Sequence, residues 1–201
     1  MKKIYVLLIL LLFCLCGCIN STQNNTISVD TPQDNSINGI DFSKVIKIDA
    51  PGCLPISTKS IKEILDDTGR FTYNRITFPG SAAADLYFRL DKPDNEDSET
   101  ARISYQVLPE NTTNIISYNF AKSAVNGDKH DAIKWGLDIL LHIFGVELTN
   151  EVWADIMEIA AISENDEAWG TDHEGHIDET NGIRLIYGNL GGNIQIDIRT
   201  R

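Results

Sequence analysis

The sequence predicts an α+β fold: a single antiparallel sheet of about six to seven strands with about three helices packed on one face. Three observations carry the prediction. Several runs alternate apolar and polar residues with period two, the signature of strands that bury one face and wet the other. Other runs carry apolar residues at helical spacing. The two kinds of run are segregated along the chain rather than alternating, which favours α+β over a parallel doubly wound sheet.

Taken in order, residues 45–48 read as a short strand and residues 58–68 as a helix with Ile61, Ile64 and Leu65 on one face. Ser57 or Thr58 can cap its start, and Gly69 suits the position just past its end. Four alternating runs follow, at 71–78, 85–90, 102–108 and 115–120. In the second, Leu86, Phe88 and Leu90 face one way and Asp85, Tyr87 and Arg89 the other. Asp128 is placed to cap a helix reaching Phe144, with Ile133, Leu137, Leu140 and Leu141 as its apolar stripe and Gly145 as its stop. A further helix spans 150–162, capped by Thr149 or Asn150, and the short link predicts an antiparallel helix pair on the sheet's apolar face. Strands at 183–187 and 194–199 close the chain as a hairpin around the glycine-rich segment 188–193. In the second of them, Ile194, Ile196 and Ile198 alternate with Gln195, Asp197 and Arg199.

The N-terminal residues speak to location. Lys2 and Lys3 precede an unbroken apolar run from Ile4 to Leu15, the plan of an export signal. As a helix that run would span about 18 Å, short of the roughly 20 residues needed to cross a bilayer. It ends in Leu15-Cys16-Gly17-Cys18. This quartet resembles the lipobox of bacterial lipoproteins, with Cys16 at a position where small or aliphatic residues are usual. The resemblance implies that Cys18 takes a diacylglycerol on sulfur, is cleaved from residues 1–17 and becomes an acylated (palmitate-type) N-terminus. It covers only these eighteen residues. Two acyl chains hold a protein stably to a membrane without help from a basic patch. The expected organisation is a signal peptide at 1–17, a lipidated N-terminus and flexible linker at 18–38, and one domain at 39–201. Residues 19–38 are mostly Asn, Ser, Thr, Gln and Asp. A coil of that length reaches about 25 Å, so the domain stands just off the membrane on its extracytoplasmic side.

Charge and cysteine usage bound the partners. Losing Lys2 and Lys3 with the signal leaves 15 of the 17 basic side chains against 29 acidic ones, a formal charge of −14 where the whole chain has −12. Nucleic acid and anionic lipid, which are held by Lys and Arg clusters, are poor partners for such a surface, whereas a protein or cationic envelope partner is electrostatically favoured. Of four cysteines only Cys53 stays in the mature domain unmodified, so no internal disulfide can form and stability must come from a core. Cys53, within Pro51-Gly52-Cys53-Leu54-Pro55, reads as a small buried hydrophobe.

No Gly-x-Ser-x-Gly elbow, Ser-x-x-Lys, phosphate-binding loop or dinucleotide glycine fingerprint occurs in the chain. The segment that could carry chemistry is 164–182, nineteen residues read as an irregular loop, with seven carboxylates and no Lys or Arg. Within it Asp172, His173, Glu174, His176 and Asp178 cluster, a donor set suited to zinc, or to calcium through the carboxylates alone. Its spacing matches neither a zinc-protease helix nor an EF-hand loop. Trp169, in the same segment, reads as a pin to the core or a contact aromatic, and Trp135 and Trp153 as core or helix-contact residues. Asp91 to Glu99 reads as a solvated hairpin loop.

Two functions follow as expectations. One is a membrane-anchored, non-catalytic extracytoplasmic binding or accessory module, engaging its partner through the wet sheet face or the acidic loop. The alternative is a metal-binding protein or metal-dependent hydrolase, with His173, His176, Asp172 and Asp178 as ligands to a divalent metal and Glu174 as base.

Overall fold

A computed structural model describes residues 36–37, 39–77, 84–91, 99–125, 127–162, 172–178, 183–190 and 192–200. The signal, Cys18 and the linker up to residue 34 lie outside the described residues, and residues 35–201 form one compact unit. Within that unit a minor hairpin pairs β1 (Ser36–Ile37) with β2 (Ile40–Asp41). The main sheet has seven strands: β3 (Phe71–Thr77), β4 (Ala84–Leu90), β5 (Ala101–Val107), β6 (Ile115–Ala121), β7 (Asp172–Asp178), β8 (Ile183–Leu190) and β9 (Asn193–Thr200). Their spatial order is β3-β4-β5-β6-β9-β8-β7, every pairing antiparallel. The helices are α1 (Thr58–Asp67), α2 (Lys122–Val125), α3 (His130–Ile143) and α4 (Asn150–Ala161). This is the expected α+β class, with one short helix more.

Period-two patterning and register together build the core. Phe88, Ile103, Tyr118 and Ile196 stand in one row across β4, β5, β6 and β9, all fully buried. The rows beside it, Leu86-Tyr105-Ile116-Ile198 and Phe120-Ile194, are buried too. Helix α1 covers this face with Ile61, Ile64 and Leu65, α3 with Ile133, Leu137 and Leu140, and α4 with Val152, Ile156 and Ile159. Docking of α3 is close. The Tyr118 hydroxyl donates to the Ile133 carbonyl at 2.8 Å, and Gly136 passes so near the sheet that a Cβ there would lie 2.6 Å from that hydroxyl.

Caps fall mostly where the sequence placed them. Ser57 Oγ accepts from the Ser60 amide at 3.1 Å at the start of α1, and Thr149 Oγ1 from the Val152 amide at 3.2 Å at the start of α4. Gly69 and Gly145 take φ +65° and +73° just past α1 and α3, a conformation that favours glycine. At the far end of α4 the Ile162 carbonyl accepts from Lys122 Nζ and from Asn189 Nδ2, cations and amides being the partners that a helix C-terminus favours.

Several expectations are corrected. Residues 45–48 form no strand, only an isolated bridge of Lys47 with Ile56; Pro55, whose carbonyl accepts from the Ile48 amide, has no N–H to return to a ladder. Lys129, not Asp128, stands at the N-cap of α3 and makes no capping bond through its side chain. The closing hairpin is tighter than the glycine content implied. Gly188 and Asn189 stay in the ladder up to Leu190 opposite Asn193, leaving a two-residue turn with Gly192 at φ +85°. α3 and α4 meet through their N-terminal halves, where Trp153 Nε1 donates to His130 Nε2 at 3.2 Å and Lys134 Nζ to Asn150 Oδ1 at 3.3 Å. The link 144–149, with Phe144, Val146 and Leu148 buried, runs back beside α3 instead of turning at once.

Two buried tyrosines make a contrasting pair. Tyr118 is hydrogen bonded, whereas the buried Tyr105 hydroxyl has no partner among the described residues. Tyr105→Phe should therefore raise stability by up to about 1 kcal/mol and Tyr118→Phe lower it by about 1 kcal/mol, read from urea midpoints. Burial pushes both phenols well above the ordinary tyrosine range. A folded-state pKa above the unfolded value keeps its stabilisation below about pH 10 and loses it as pH rises beyond. Both rings should hence ionise only together with alkaline unfolding, followed by absorbance near 295 nm.

Candidate functional site on the open sheet face

The helices cover one face of the sheet and the other carries its polar alternates. Register sorts these into rows across the strands. One row is Arg89, Arg102, Asn119 and Gln195 on β4, β5, β6 and β9; the next is Tyr87, Ser104, Ser117 and Asp197. Side chains directly opposite on neighbouring strands are in contact range, so each row acts as a unit.

Two interactions hold the rows in place. Asp197 is only 3% exposed although it belongs to the polar face. Its Oδ1 accepts from Ser117 Oγ at 2.6 Å and Gln195 Nε2 at 3.0 Å, and its Oδ2 from Arg199 at 2.6 Å. A buried carboxylate survives when donors satisfy it, and here three do. With both oxygens engaged by donors it is poorly placed to take a proton from a substrate. Replacing it by Ala should cost about 2 kcal/mol and by Asn about half that, the amide keeping an acceptor for Ser117 but losing the charge opposite Arg199. Urea denaturation of both variants checks the order.

The second interaction is an Arg–Glu–Arg cluster. Arg89 and Arg102 face each other across β4 and β5, a like-charged pair that would be unfavourable alone. Glu99 lies between them, one oxygen on Arg102 and the other 3.1 Å from Arg89 Nε. The expectation that Asp91 to Glu99 is simply solvated is therefore corrected at one end, where Glu99 is 21% exposed; at the other, Asp91 is exposed as expected and accepts from Arg70 Nε at 2.9 Å. Residues 92–98 lie outside the described residues.

Between these anchors the face is concave. A trough of about 580 Å³ is lined by Tyr87, Glu99, Arg102, Ser104, Asn119 and Gln195, with Ala101, Phe120 and Leu190 among its apolar members. The side chains of Tyr87, Ser104 and Asn119 make no hydrogen bond with the described residues. The trough thus offers unspent polar groups beside Arg102 and Gln195, which Glu99 and Asp197 hold in place. Other concavities are a cleft of about 560 Å³ along α3, between Trp135 and His142, and one of about 320 Å³ around Arg184 and Arg199.

The histidine-containing segment has a different backbone from the one expected. Residues 172–178 are strand β7, at the sheet edge beside β8. His173 stands opposite Tyr187 in the pairing, and register shifts between Glu174 and Ile177, so Gly175 and His176 fall in an irregularity. Acidic and imidazole residues hid the strand because they blur the alternation, although charge is common on edge strands. The side chains of Asp172, His173, Glu174, His176 and Asp178, and all of 163–170 including Trp169, lie outside the described residues. Among the described residues no group of three or more His, Cys, Asp or Glu could hold a metal ion. If the histidine-containing strand does bind one, chain purified without chelators should carry near one equivalent by elemental analysis and lose it on joint His173→Ala and His176→Ala substitution. Less than a tenth of an equivalent removes that alternative.

Cys53 is half-buried rather than buried, with a free thiol, because its turn holds it at the surface through the Cys53 amide's bond to the Ala50 carbonyl at 3.0 Å. Trp153 is buried on α4 and Trp135 packs on Phe71 with the Arg70 guanidinium over its ring, both contact residues as expected. Sequence reasoning missed Arg102, Glu99, Asn119 and the role of Asp197. Alternation signalled that Asp197 faces outward, but only register brings these residues together. No helix among the described residues is long and apolar enough to cross a membrane. Compared with protein-family models, with characterised proteins and with solved structures, the chain matches none.

Proposed function

We propose that this chain is a lipid-anchored extracytoplasmic binding module that engages its partner through the open face of the sheet. The observation that carries the reading is the trough across β5, β6 and β9, where unspent polar side chains stand on a floor braced by Asp197 and the Glu99 cluster. Fixed hydrogen-bonding groups beside unspent ones suit recognition, since little ordering remains to oppose binding. The lipobox-like Leu15-Cys16-Gly17-Cys18 supports the anchoring half, with Cys18 as the lipidated residue and the linker as a tether. Acidic charge supports a protein or cationic envelope partner over nucleic acid.

Chain solubilised from its native membranes should co-purify with a stoichiometric partner, and Ser104→Arg plus Asn119→Arg should abolish that recovery while leaving the thermal midpoint within about 3 °C, as expected of surface substitutions. Recovery undiminished by these substitutions would move the binding site elsewhere.

A further inference from the structure

We propose that the open edge of the main sheet, along β3, binds an extended acidic segment of a partner protein as an added strand. This surface is separate from the trough, and the inference goes beyond the function proposed above.

The two edges of the sheet are built differently. β7, at one end, is rich in charged and imidazole residues, and its register with β8 shifts between Glu174 and Ile177. Charge and irregularity of that kind discourage an edge from pairing further. β3, at the other end, runs Phe-Thr-Tyr-Asn-Arg-Ile-Thr, with no proline, no glycine and Arg75 as its one charge. It pairs with β4 in unbroken register along its whole length, and nothing among the described residues pairs with its outer side. Such an edge is a template for another strand.

The backbone fixes which residues would pair. The Asp91 amide donates to the Arg70 carbonyl at 2.9 Å, and Phe71 stands opposite Leu90. Hydrogen-bonded pairs alternate along an antiparallel ladder, so Thr72, Asn74 and Ile76 turn their main-chain groups to β4. Phe71, Tyr73, Arg75 and Thr77 turn theirs outward. An incoming strand therefore finds donors and acceptors at every second residue.

Charge selects the partner. Tyr73 and Arg75 stand opposite Phe88 and Leu86 and so share the helix-covered face, yet both are exposed, α1 leaving this margin of the sheet open. A groove of about 230 Å³ there is lined by Lys59, Lys62, Tyr73, Arg75, Leu86 and Val107, together with Thr58 and Asn111, which bond each other at 3.1 Å. Among the described residues no carboxylate lines it. Lys59 and Lys62 have acids along α1, Glu63 at 3.8 Å and Asp66, whereas Arg75 has no ionic partner among the described residues. The groove thus presents an uncompensated cation in a strongly acidic chain. A glutamate on the added strand is the complement, its methylenes against Leu86 and Val107 and its carboxylate at Arg75. A second copy of this chain fits poorly, because it would bring its own Lys59, Lys62 and Arg75 to the same edge.

The test titrates the full chain in detergent micelles with a fluorescently labelled, acetylated peptide of alternating glutamate and threonine, as long as β3, read by anisotropy. It should bind about tenfold or more tightly than its glutamine counterpart, and Arg75→Gln should erase that preference while both peptides still bind. N-methylation of those peptide amides that face β3 removes the donors of an added strand, keeps the charge and should abolish binding. Equal affinity for the glutamate and glutamine peptides would overturn the acidic assignment. Binding indifferent to N-methylation would overturn strand addition, and no binding at about 1 mM would overturn the site. Ser104→Arg plus Asn119→Arg should leave the affinity unchanged; loss of binding in that folded variant would put the peptide in the trough and overturn the edge. A photoreactive residue in place of Arg75 that joined two copies of the chain would give the edge to self-association and overturn the choice of occupant.

Discussion

Gly136→Ala should lower the stability of the domain by about 2 kcal/mol, although alanine is the better helix former. In the interior of α3 the exchange would favour folding by about 1 kcal/mol if nothing lay opposite. The new Cβ, however, would meet the Tyr118 hydroxyl at 2.6 Å and Leu90 Cδ2 at 2.9 Å. Neither can withdraw freely, because Tyr118 is fully buried and bonded to the Ile133 carbonyl, and Leu90 is fully buried beneath the same helix. Overpacking of this kind costs about 3 kcal/mol, which outweighs the propensity gain. Tyr118→Phe removes the nearest obstructing atom and leaves ring carbon Cζ at 3.4 Å, so the double variant should be no less stable than Gly136→Ala alone, the Tyr118→Phe loss of about 1 kcal/mol being offset by a coupling of about the same size. Urea titrations of the four proteins measure it. A Gly136→Ala variant as stable as the parent would mean that α3 docks differently.

Cys18→Ala should move nearly all of the protein from the membrane fraction to the soluble fraction of its native host, or leave it as an uncleaved precursor. Burial of each acyl CH₂ contributes about 0.8 kcal/mol, so removing the acyl chains removes the attachment, and no basic patch follows residue 18 to replace it. Detergent phase partitioning of wild type and variant reads the effect, and mass spectrometry of the mature N-terminus separates release from retained precursor. A cleaved variant that entered detergent as fully as wild type would contradict lipid anchoring.

How far the sequence could be read depends on whether each element is written locally. Period-two runs such as Leu86, Phe88 and Leu90 mark both a strand and its buried face, and caps such as Ser57 and Thr149 mark helix starts within a few residues. Register is not local. Nothing in the run around Arg102 says that Asn119 and then Gln195 stand beside it, because that follows from strand order, with β9 inserted between β6 and β8. The trough was therefore invisible, although Tyr87 and Gln195 in its lining were expected to face away from the core. Strand β7 was missed for the opposite reason: its pairing with β8 is imposed by the neighbouring strand while its own composition resembles a solvated loop. Asp197 looked like an ordinary outward polar residue. Only the convergence of Ser117, Gln195 and Arg199 makes it a buried anchor.

A photoreactive residue placed in turn at Ser104, on the trough floor, and at Asp138, on the outer side of α3, tests directly whether the open sheet face is the working surface. Illumination of intact cells should give a discrete envelope adduct from Ser104 and none from Asp138. Adducts from Asp138 alone, or the same adduct with equal yield from both, would contradict the account.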